Sequence, residues 1–460
     1  MLNMPACLAG VAIAASLAAY RHSVLPFAAM WAILPSIRHP LRESAVSCAS
    51  SPSLPSSVSL SSGRAAASPG GRARGWRGLA AAALASLMLA GCSGSGGFFG
   101  LGGSDGAASG PAAADSTIGA GSVKVALLLP LSAQGAAGTT AQSLRNAAEL
   151  AISEFSQPDV QILVRDDRGT EAGARNAARA ALNDGAELVI GPLFSATTQA
   201  AGAVTRPANV PVISFSTDSS AAQPGVYLLS FLPETEVDRV VRFAAQRGRK
   251  SFAALVPDNA YGKVVRDAFQ RTVAATGGRV VAVETYAADR SNLQQSVQRL
   301  AAQAGQFDAL FLPDNADTLP SIAQYLRTAN VDTGRVKLLG TSLWNVPSVL
   351  ATPGLQGGWF SAPDSVGFNA FAQRYRAKFG TEPVRIASLT YDAVSLAAAL
   401  VRTQGSQRFS TAVLTNRAGF AGADGVFRFN ANGTNDRALA VLEVRQNNAV
   451  VVSAAPRQLQ

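Results

Sequence analysis

From residue 123 onward, short apolar runs alternate with segments whose apolar residues repeat at helical spacing. The first run, 123–130, is typical of a strand buried on both faces of a sheet. The apolar positions from Leu144 to Phe155 that follow it indicate a helix. Because this order of strand and helix repeats as far as residue 402, the sequence predicts an α/β protein built from parallel βαβ units.

The body of the chain is too long for one typical hydrophobic core, and its length predicts two lobes. A closing hairpin is predicted from 426–429 and 439–445, which flank the turn-forming pair Asn432-Gly433. The other predicted strands are 123–130, 160–165, 187–193, 210–216, 252–257, 280–286, 309–313, 336–340 and 359–363. The predicted helices are 144–155, 175–182, 195–204, 236–246, 262–275, 293–304, 319–328, 368–379 and 388–402.

The segment before this body has the pattern of a secreted leader. Arginines and an apolar run in 72–91 end at Leu89-Ala90-Gly91-Cys92, which resembles the lipobox of bacterial lipoproteins. The resemblance implies that Cys92 carries lipid, and Ser93 after it favours the outer membrane. In residues 1–71 the apolar residues follow neither helical nor strand periodicity for long, and this segment is interpreted as a disordered or wrongly assigned extension. The Gly/Ser/Ala-rich segment 92–122 is predicted to be a flexible linker.

Cysteine and histidine usage excludes most enzyme chemistry. Every cysteine, and both histidines, lie at or before Cys92. After cleavage the chain therefore has no disulfide, no histidine base, no Ser-His-Asp or Cys-His set and no ordinary zinc site. Phosphate-binding and dinucleotide-binding glycine motifs are absent as well, so we expect no enzyme activity, metal or cofactor. Most of the net charge of +10 belongs to the leader, and no basic cluster predicts nucleic-acid binding.

Several segments of the body resemble the leucine-binding, or type I, periplasmic solute-binding family. The resemblance implies two Rossmann-like lobes with parallel sheets, joined by three crossovers near 232–233, 361–364 and 422–425. Lobe one would then be 123–232 plus 364–421, and lobe two 233–363 plus 426–453. The segments that carry the resemblance are 125–131, Gly185-Ala-Glu-Leu-Val-Ile-Gly-Pro-Leu193 with Ser195, Val210-Pro-Val-Ile-Ser-Phe-Ser216, Asp258-Asn-Ala-Tyr-Gly262, Phe379-Gly-Thr-Glu-Pro383 and Tyr391-Asp-Ala393.

Five side chains at predicted strand ends form the candidate ligand site, since ligands of open parallel sheets bind beyond the carboxyl ends of the strands. Ser195 begins a helix whose free N–H groups favour a carboxylate. Ser216 and Thr217 match family residues that contact a ligand's ammonium or carboxylate group. Tyr261 matches the aromatic residue that closes over the ligand, and Asp314 is a candidate partner for an ammonium group.

Each of these residues also has a purely structural interpretation. Ser195 is equally consistent with a helix N-cap, and Ser216 with Thr217 is equally consistent with a turn that satisfies backbone groups. Tyr261 fits packing at a helix start, and Asp314 fits a solvated loop. The sequence alone leaves these alternatives open.

One departure from the family affects the choice of function. Amino-acid receptors of this family commonly place an acidic residue after the strand that here ends near Gly340, whereas this chain has Gly340-Thr-Ser-Leu-Trp344. The chain is also similar to the penicillin-binding protein activator lipoproteins, through Leu-Leu-Leu-Pro-Leu-Ser at 127–132 and a Gly-Pro-Leu loop. We therefore expect a lipid-anchored periplasmic protein. It either binds a small, amino-acid-like solute for an ABC permease or regulates a penicillin-binding protein by contact.

Overall fold

A computed structural model describes residues 115–459. The predictions for 1–71, for the signal segment 72–91 and for lipid on Cys92 lie outside the described residues. Within 115–459, no helix has the length and apolar character needed to cross a bilayer.

Strands and helices alternate through most of this region. The strands are β1 (Ser116–Ile118), β2 (Val123–Leu129), β3 (Val160–Asp166), β4 (Leu188–Ile190), β5 (Val212–Ser214), β6 (Val226–Leu228), β7 (Ser251–Pro257), β8 (Arg279–Tyr286), β9 (Ala309–Phe311), β10 (Lys337–Gly340), β11 (Trp359–Ala362), β12 (Phe420–Gly422), β13 (Gly425–Phe429), β14 (Asn435–Arg437), β15 (Ala440–Arg445) and β16 (Asn448–Ser453). The helices are α1 (Ala136–Ser153), α2 (Glu171–Asn183), α3 (Ser195–Thr205), α4 (Pro233–Gln246), α5 (Ala260–Ala275), α6 (Leu293–Ala301), α7 (Leu319–Thr328), α8 (Pro347–Leu350), α9 (Ser365–Phe379), α10 (Ala387–Thr403) and α11 (Thr411–Leu414).

Two large sheets form the two lobes. The first has the order β1-β3-β2-β4-β5-β6, and the second has the order β16-β15-β11-β10-β9-β7-β8. Five strands in each sheet are parallel and follow the same spatial order, and antiparallel strands extend one edge of each sheet. The predicted two-lobed α/β fold with parallel sheets is therefore confirmed.

Helices cover both faces of each sheet, as the apolar strands require. On the first sheet, α1, α9 and α10 pack on one face, and α2 and α3 pack on the other. Every residue from Ala387 to Leu400 of α10 is buried, because this helix lies between α1 and the sheet. On the second sheet, α4 and α5 cover one face, while α6 and α7 cover the other.

The end of the predicted linker is folded. Residues of β1 pair antiparallel with β3, and Ile118 lies in the core of the first lobe. Asp115 lies 3.5 Å from the guanidinium of Arg165. The prediction of a flexible linker through residue 122 is therefore wrong at its carboxyl end, because the short Ser-Thr-Ile run there extends the edge of a sheet.

The predicted C-terminal hairpin is also wrong. The strand β13 pairs with β14 through the turn at Asn432-Gly433, in a separate three-stranded sheet with β12. Phe427 and Phe429 of β13 pack in the first lobe's core, whereas β15 joins β11 and makes its hairpin with β16. Residues 426–437 therefore pack with lobe one, and the third crossover follows β14 instead of lying near 422–425. The alternating apolar residues of 439–445 suit either pairing, so the sequence pattern did not distinguish them.

Candidate ligand-binding site

The five predicted site residues all follow strands of the two parallel sheets. Ser195 begins α3 after β4, and Ser216 and Thr217 follow β5. In the second lobe, Tyr261 lies in the first turn of α5 after β7, and Asp314 follows β9. The sheets therefore bring these side chains to the carboxyl ends of their strands, where α/β proteins bind ligands.

In lobe one, Asp218 connects Ser195 and Ser216. The Ser195 hydroxyl donates to Asp218 Oδ2 at 2.7 Å, and the Asp218 N–H donates to Ser216 Oγ at 3.1 Å. Hydrogen bonds from Ser220 and Ser195 hold the pKa of Asp218 below its ordinary value. Thr217 is exposed beside them, whereas Ser216 is buried.

This arrangement changes the interpretation of Ser195. Phe194, and not Ser195, is the N-cap residue of α3, and no side chain caps that end. The hydroxyl of Ser195 is directed to a carboxylate of the protein itself. Because Asp218 is negatively charged, this end of lobe one favours a hydrogen-bond donor or a cation over the ligand carboxylate expected from the sequence.

In lobe two, Tyr261 and Asp314 line one cavity of about 150 Å³. The hydroxyl groups of Tyr261 and Thr341 are hydrogen-bonded at 3.2 Å. Asp314 is only 6% exposed, and its Oδ1 accepts from the N–H of Asn315 at 2.8 Å. Burial raises the pKa of Asp314, against opposing hydrogen bonds from Asn315 and Thr318. The solvated-loop interpretation of Asp314 is therefore wrong.

A second acidic residue of lobe two, Glu236 in α4, was not predicted from the sequence. Its carboxylate accepts from the Ser342 N–H at 2.9 Å and from the Ser342 hydroxyl at 2.6 Å. Burial raises the pKa of Glu236 to about 7, although Ser342 and Arg385 act in the opposite direction. The loop after β10 lacks the acidic residue that is common in amino-acid receptors of the family, but the buried carboxylate of Glu236 contacts this loop from α4. Its spacing of four residues from Val240, a buried position of the same helix, is the sequence signal that indicates its inward orientation.

Burial also raises the pKa of the Tyr261 hydroxyl, and the nearby charges of Glu236 and Asp314 act in the same direction. The tyrosine therefore stays neutral and is able both to donate and to accept a hydrogen bond. This part of lobe two presents two acidic groups and a neutral hydroxyl.

Arg385 contacts the chain next to two of the crossovers between the lobes. Its guanidinium pairs with the buried carboxylate of Asp424 at 2.6 Å. It also lies over the ring of Phe231, next to the first crossover, and over that of Phe368, after the second. Asp424 lies in the turn between β12 and β13, in the part of the chain that packs with lobe one. One guanidinium therefore contacts the chain near the first two crossovers.

The contacts join the predicted site residues within each lobe. Among residues 115–459, no hydrogen bond or ion pair links Ser195, Ser216 or Thr217 to Tyr261 or Asp314. The same part of the chain contains no group of three or more His, Cys, Asp or Glu side chains arranged to hold a metal ion. Each lobe therefore has one cluster of polar side chains at its strand ends, and such clusters suit noncovalent binding of a ligand.

The sequence matches the profile of the periplasmic binding protein family over residues 122–449. The chain therefore belongs to the periplasmic binding protein family. Comparison with curated proteins gives no match.

Solved structures share the fold at low sequence identity. A putative branched-chain amino acid ABC transporter protein from Rhodospirillum rubrum is 22% identical, with a TM-score of 0.64, over 72% of this chain and 99% of that chain. A solute-binding protein from Rhodopseudomonas palustris, in complex with 3,4-dihydroxybenzoic acid, is 18% identical, with a TM-score of 0.54, over 73% and 98% of the two chains. The substrate-binding protein LivJ from Streptococcus pneumoniae, in complex with isoleucine, is 20% identical, with a TM-score of 0.52, over 72% and 99%.

Proposed function

We propose that this protein is a non-enzymatic lipoprotein of the cell envelope that binds a small, polar, amino-acid-like solute between its lobes for an ABC-type importer. The observation that carries the proposal is the pair of polar groups at the strand ends, Ser195 with Asp218 and Tyr261 with Asp314. Membership of the periplasmic binding protein family supports a periplasmic location. Proteins of the same fold in complex with isoleucine or 3,4-dihydroxybenzoic acid support a small solute.

Thermal unfolding of the purified protein against amino acids, small peptides, aromatic carboxylates and muropeptides tests the proposal. A ligand that binds only the folded state raises the unfolding midpoint, with about 2.7 kcal/mol of stabilisation at a hundredfold excess over its Kd. We expect one compound class to raise the midpoint. The combined variant Ser195→Ala, Thr217→Val, Tyr261→Phe is expected to lose that shift, whereas Tyr325→Phe on α7 serves as its control.

If the protein unfolds cooperatively and no compound of the panel raises its unfolding midpoint, the solute-receptor proposal is contradicted. The alternative is a regulator of peptidoglycan synthesis, similar to the penicillin-binding protein activators. Retention of a penicillin-binding protein from a membrane extract on the immobilised protein would then support that function.

The lipid anchor is a separate part of the proposal. We expect mass spectrometry of the cleaved protein to find acyl groups on Cys92 and a fractionation experiment to place it with the outer membrane. The variant Cys92→Ser is expected to remain uncleaved and without lipid. An N-terminus other than residue 92 in the wild-type protein would contradict this assignment.

A further inference from the structure

The end of lobe two opposite the candidate ligand site carries a group of basic side chains. The parallel strands β7, β8 and β10 begin at this end, and residues at or shortly before their first positions are basic. Because these strands lie side by side with β9, the fold brings together residues from distant segments of the sequence. We call this group the basic end, and it consists of Arg247, Arg249, Lys250, Arg279, Arg335 and Lys337.

Hydrogen bonds show that these segments are neighbours. The Arg279 N–H donates to the Lys250 oxygen at 2.8 Å, and the Arg249 guanidinium donates to the Arg335 oxygen at 3.1 Å. The Lys337 N–H donates to a backbone oxygen in the loop before β9 at 2.9 Å. The basic side chains therefore share one end of the sheet.

Carboxylates of the protein do not pair with the basic end. Among residues 115–459, none of its side chains forms an ion pair. Its arginines donate to backbone oxygens instead, as Arg335 does to the Phe307 oxygen at 3.0 Å. A backbone oxygen carries only a partial negative charge, so the net positive charge of these side chains remains.

The acidic residues close to the basic end have other partners. The carboxylate of Asp308 accepts the N–H groups of residues 250 and 251 at 3.1 Å, and that of Asp332 accepts the Gly334 N–H at 2.9 Å. Glu443, which lies near Lys337, pairs with Arg445 at 2.7 Å. The basic residues outnumber these acidic ones, so this end of lobe two keeps an excess of positive charge.

Four members of the basic end, Arg247, Lys250, Arg279 and Arg335, are exposed to solvent. Exposed lysine and arginine side chains attract phosphate groups through their charge and through donated hydrogen bonds. Because the four side chains come from separate segments across the end of a sheet, an extended anionic surface suits them better than a single small anion. A bilayer with anionic phospholipids is such a surface, and each basic residue near it adds to the attraction.

The predicted tether brings a bilayer within reach of the basic end. Strand β1 starts opposite Val164, near the carboxyl end of β3, so the chain enters lobe one on the side of the candidate ligand site. The basic end lies about one lobe farther away, or about 30 Å. Residues 93–114 would span about 75 Å when fully extended, so an anchor on Cys92 leaves the basic end free to reach the membrane surface.

We propose that the basic end of lobe two docks on the anionic phospholipids of the membrane to which the protein is anchored. The contact is electrostatic and orients lobe two with the carboxyl ends of its strands, and the candidate ligand site, directed away from the bilayer. The inference goes beyond solute binding. It rests on one part of the proposed function, the lipid anchor, for the choice of a membrane as the partner.

Cosedimentation with vesicles tests the inference on residues 92–460 carrying Cys92→Ser, a chain to which no lipid is attached. The vesicles contain phosphatidylcholine alone or phosphatidylcholine and phosphatidylglycerol in equal parts. We expect the chain to bind the anionic vesicles at least about 10-fold more tightly than the neutral ones at low ionic strength. Raising the salt concentration is expected to remove this difference, because it screens the charges.

The combined variant Arg247→Gln, Lys250→Gln, Arg279→Gln is expected to bind the anionic vesicles about 10-fold more weakly than the unsubstituted chain. The matched control is Arg179→Gln, Lys263→Gln, Arg402→Gln, which removes the same charge from exposed positions elsewhere and is expected to retain most of the binding. The unfolding midpoints of both variants show whether they fold, and the comparison of vesicles needs neither of them.

Three results would overturn the inference: equal binding to neutral and anionic vesicles, equal losses in the two variants, or binding to inorganic polyphosphate without binding to vesicles. The last result would assign the basic end to a soluble polyanion. Failure of the proposed function gives a different result. Absence of acyl groups on Cys92 of the wild-type protein removes the anchor, whereas binding of the lipid-free chain to anionic vesicles would still support the docking surface.

Discussion

The carboxylate of Glu236 in α4 accepts both the N–H and the hydroxyl of Ser342, which follows β10. These two hydrogen bonds attach the loop after β10 to the first helix of lobe two. A third hydrogen bond joins the same residue to β11, since the Ser361 hydroxyl donates to the backbone oxygen of Glu236 at 2.7 Å. The position of this loop therefore depends on a buried acid that lies about a hundred residues earlier in the chain.

Glu236 is expected to make the stability of the protein depend on pH. Burial raises its pKa to about 7 in the folded state, from an ordinary value of 4.5. Its contribution to stability is therefore complete below pH 4.5 and is lost as the pH rises to about 7. We expect the unfolding free energy of wild type relative to Glu236→Gln to fall by on the order of 3 kcal/mol across that range.

Urea unfolding of both proteins at several pH values measures this difference, and the other buried acids cancel because both proteins contain them. Glu382→Gln, at an exposed position, is the control for loss of a negative charge. A difference between wild type and Glu236→Gln that does not vary with pH would contradict the prediction.

Arg385→Gln is expected to destabilise the protein by about 2–3 kcal/mol, because the buried carboxylate of Asp424 then loses its ion pair and keeps only the more distant charge of Arg437. Ser388, which donates to Asp424 at 2.5 Å, supplies only a neutral partner. The control is Arg376→Gln, which breaks an exposed pair with Glu382 and should cost less than about 1 kcal/mol. Equal losses in the two variants, measured by chemical unfolding, would argue against a special role for Arg385.

Gly340→Ala is expected to destabilise lobe two by about 1–3 kcal/mol through overpacking. A Cβ at Gly340 would meet the ring of Trp344 well inside van der Waals contact. That ring cannot move freely, because it is fully buried and its N–H donates to the Leu312 oxygen at 3.0 Å. Thermal unfolding followed by tryptophan fluorescence tests the effect, and Gly305→Ala, where a Cβ meets no atom within 4 Å, should be nearly neutral.

Ile118→Ala tests whether β1 contributes to the fold. Ile118 is 8% exposed and packs in the core of lobe one, so its truncation is expected to cost about 2–4 kcal/mol. Val366→Ala removes a side chain that is 72% exposed and should change the unfolding free energy by less than about 0.5 kcal/mol. If both variants unfold at the same denaturant concentration as wild type, β1 adds no stability.

The order of strands and helices could be predicted because each strand of a covered parallel sheet is a short apolar run. The ends of the strands were predicted less accurately. The run predicted at 187–193 extends beyond β4, because its apolar residues continue past the last ladder hydrogen bond, which the Gly191 N–H donates to the Ile213 oxygen at 2.8 Å. Proline has no N–H for the next ladder hydrogen bond. The apolar pattern of a segment therefore predicts its burial more reliably than it predicts which of its residues pair with a neighbouring strand.

The placement of the candidate site residues at strand ends could be predicted, but their contacts only partly. The apolar runs indicated that Ser195 and Tyr261 follow strands, but the hydrogen bond from Ser195 to Asp218 spans 23 residues and has no local signal. Glu236 was missed because a glutamate in the first turn of a helix usually interacts with solvent and the helix dipole. Its actual partner, Ser342, is distant in sequence, so only the packing of α4 on the second sheet reveals the contact.

The pairing of β1 with β3 has a practical consequence for any recombinant fragment of this protein. A fragment that begins at residue 123, where the parallel sheet starts, would lack the strand that covers the outer edge of β3. The backbone donors and acceptors of β3 between Ile162 and Val164 would then be open to pairing with another molecule. Intermolecular association and poor solubility would follow from the choice of first residue alone, so a fragment meant for binding measurements should begin before Asp115.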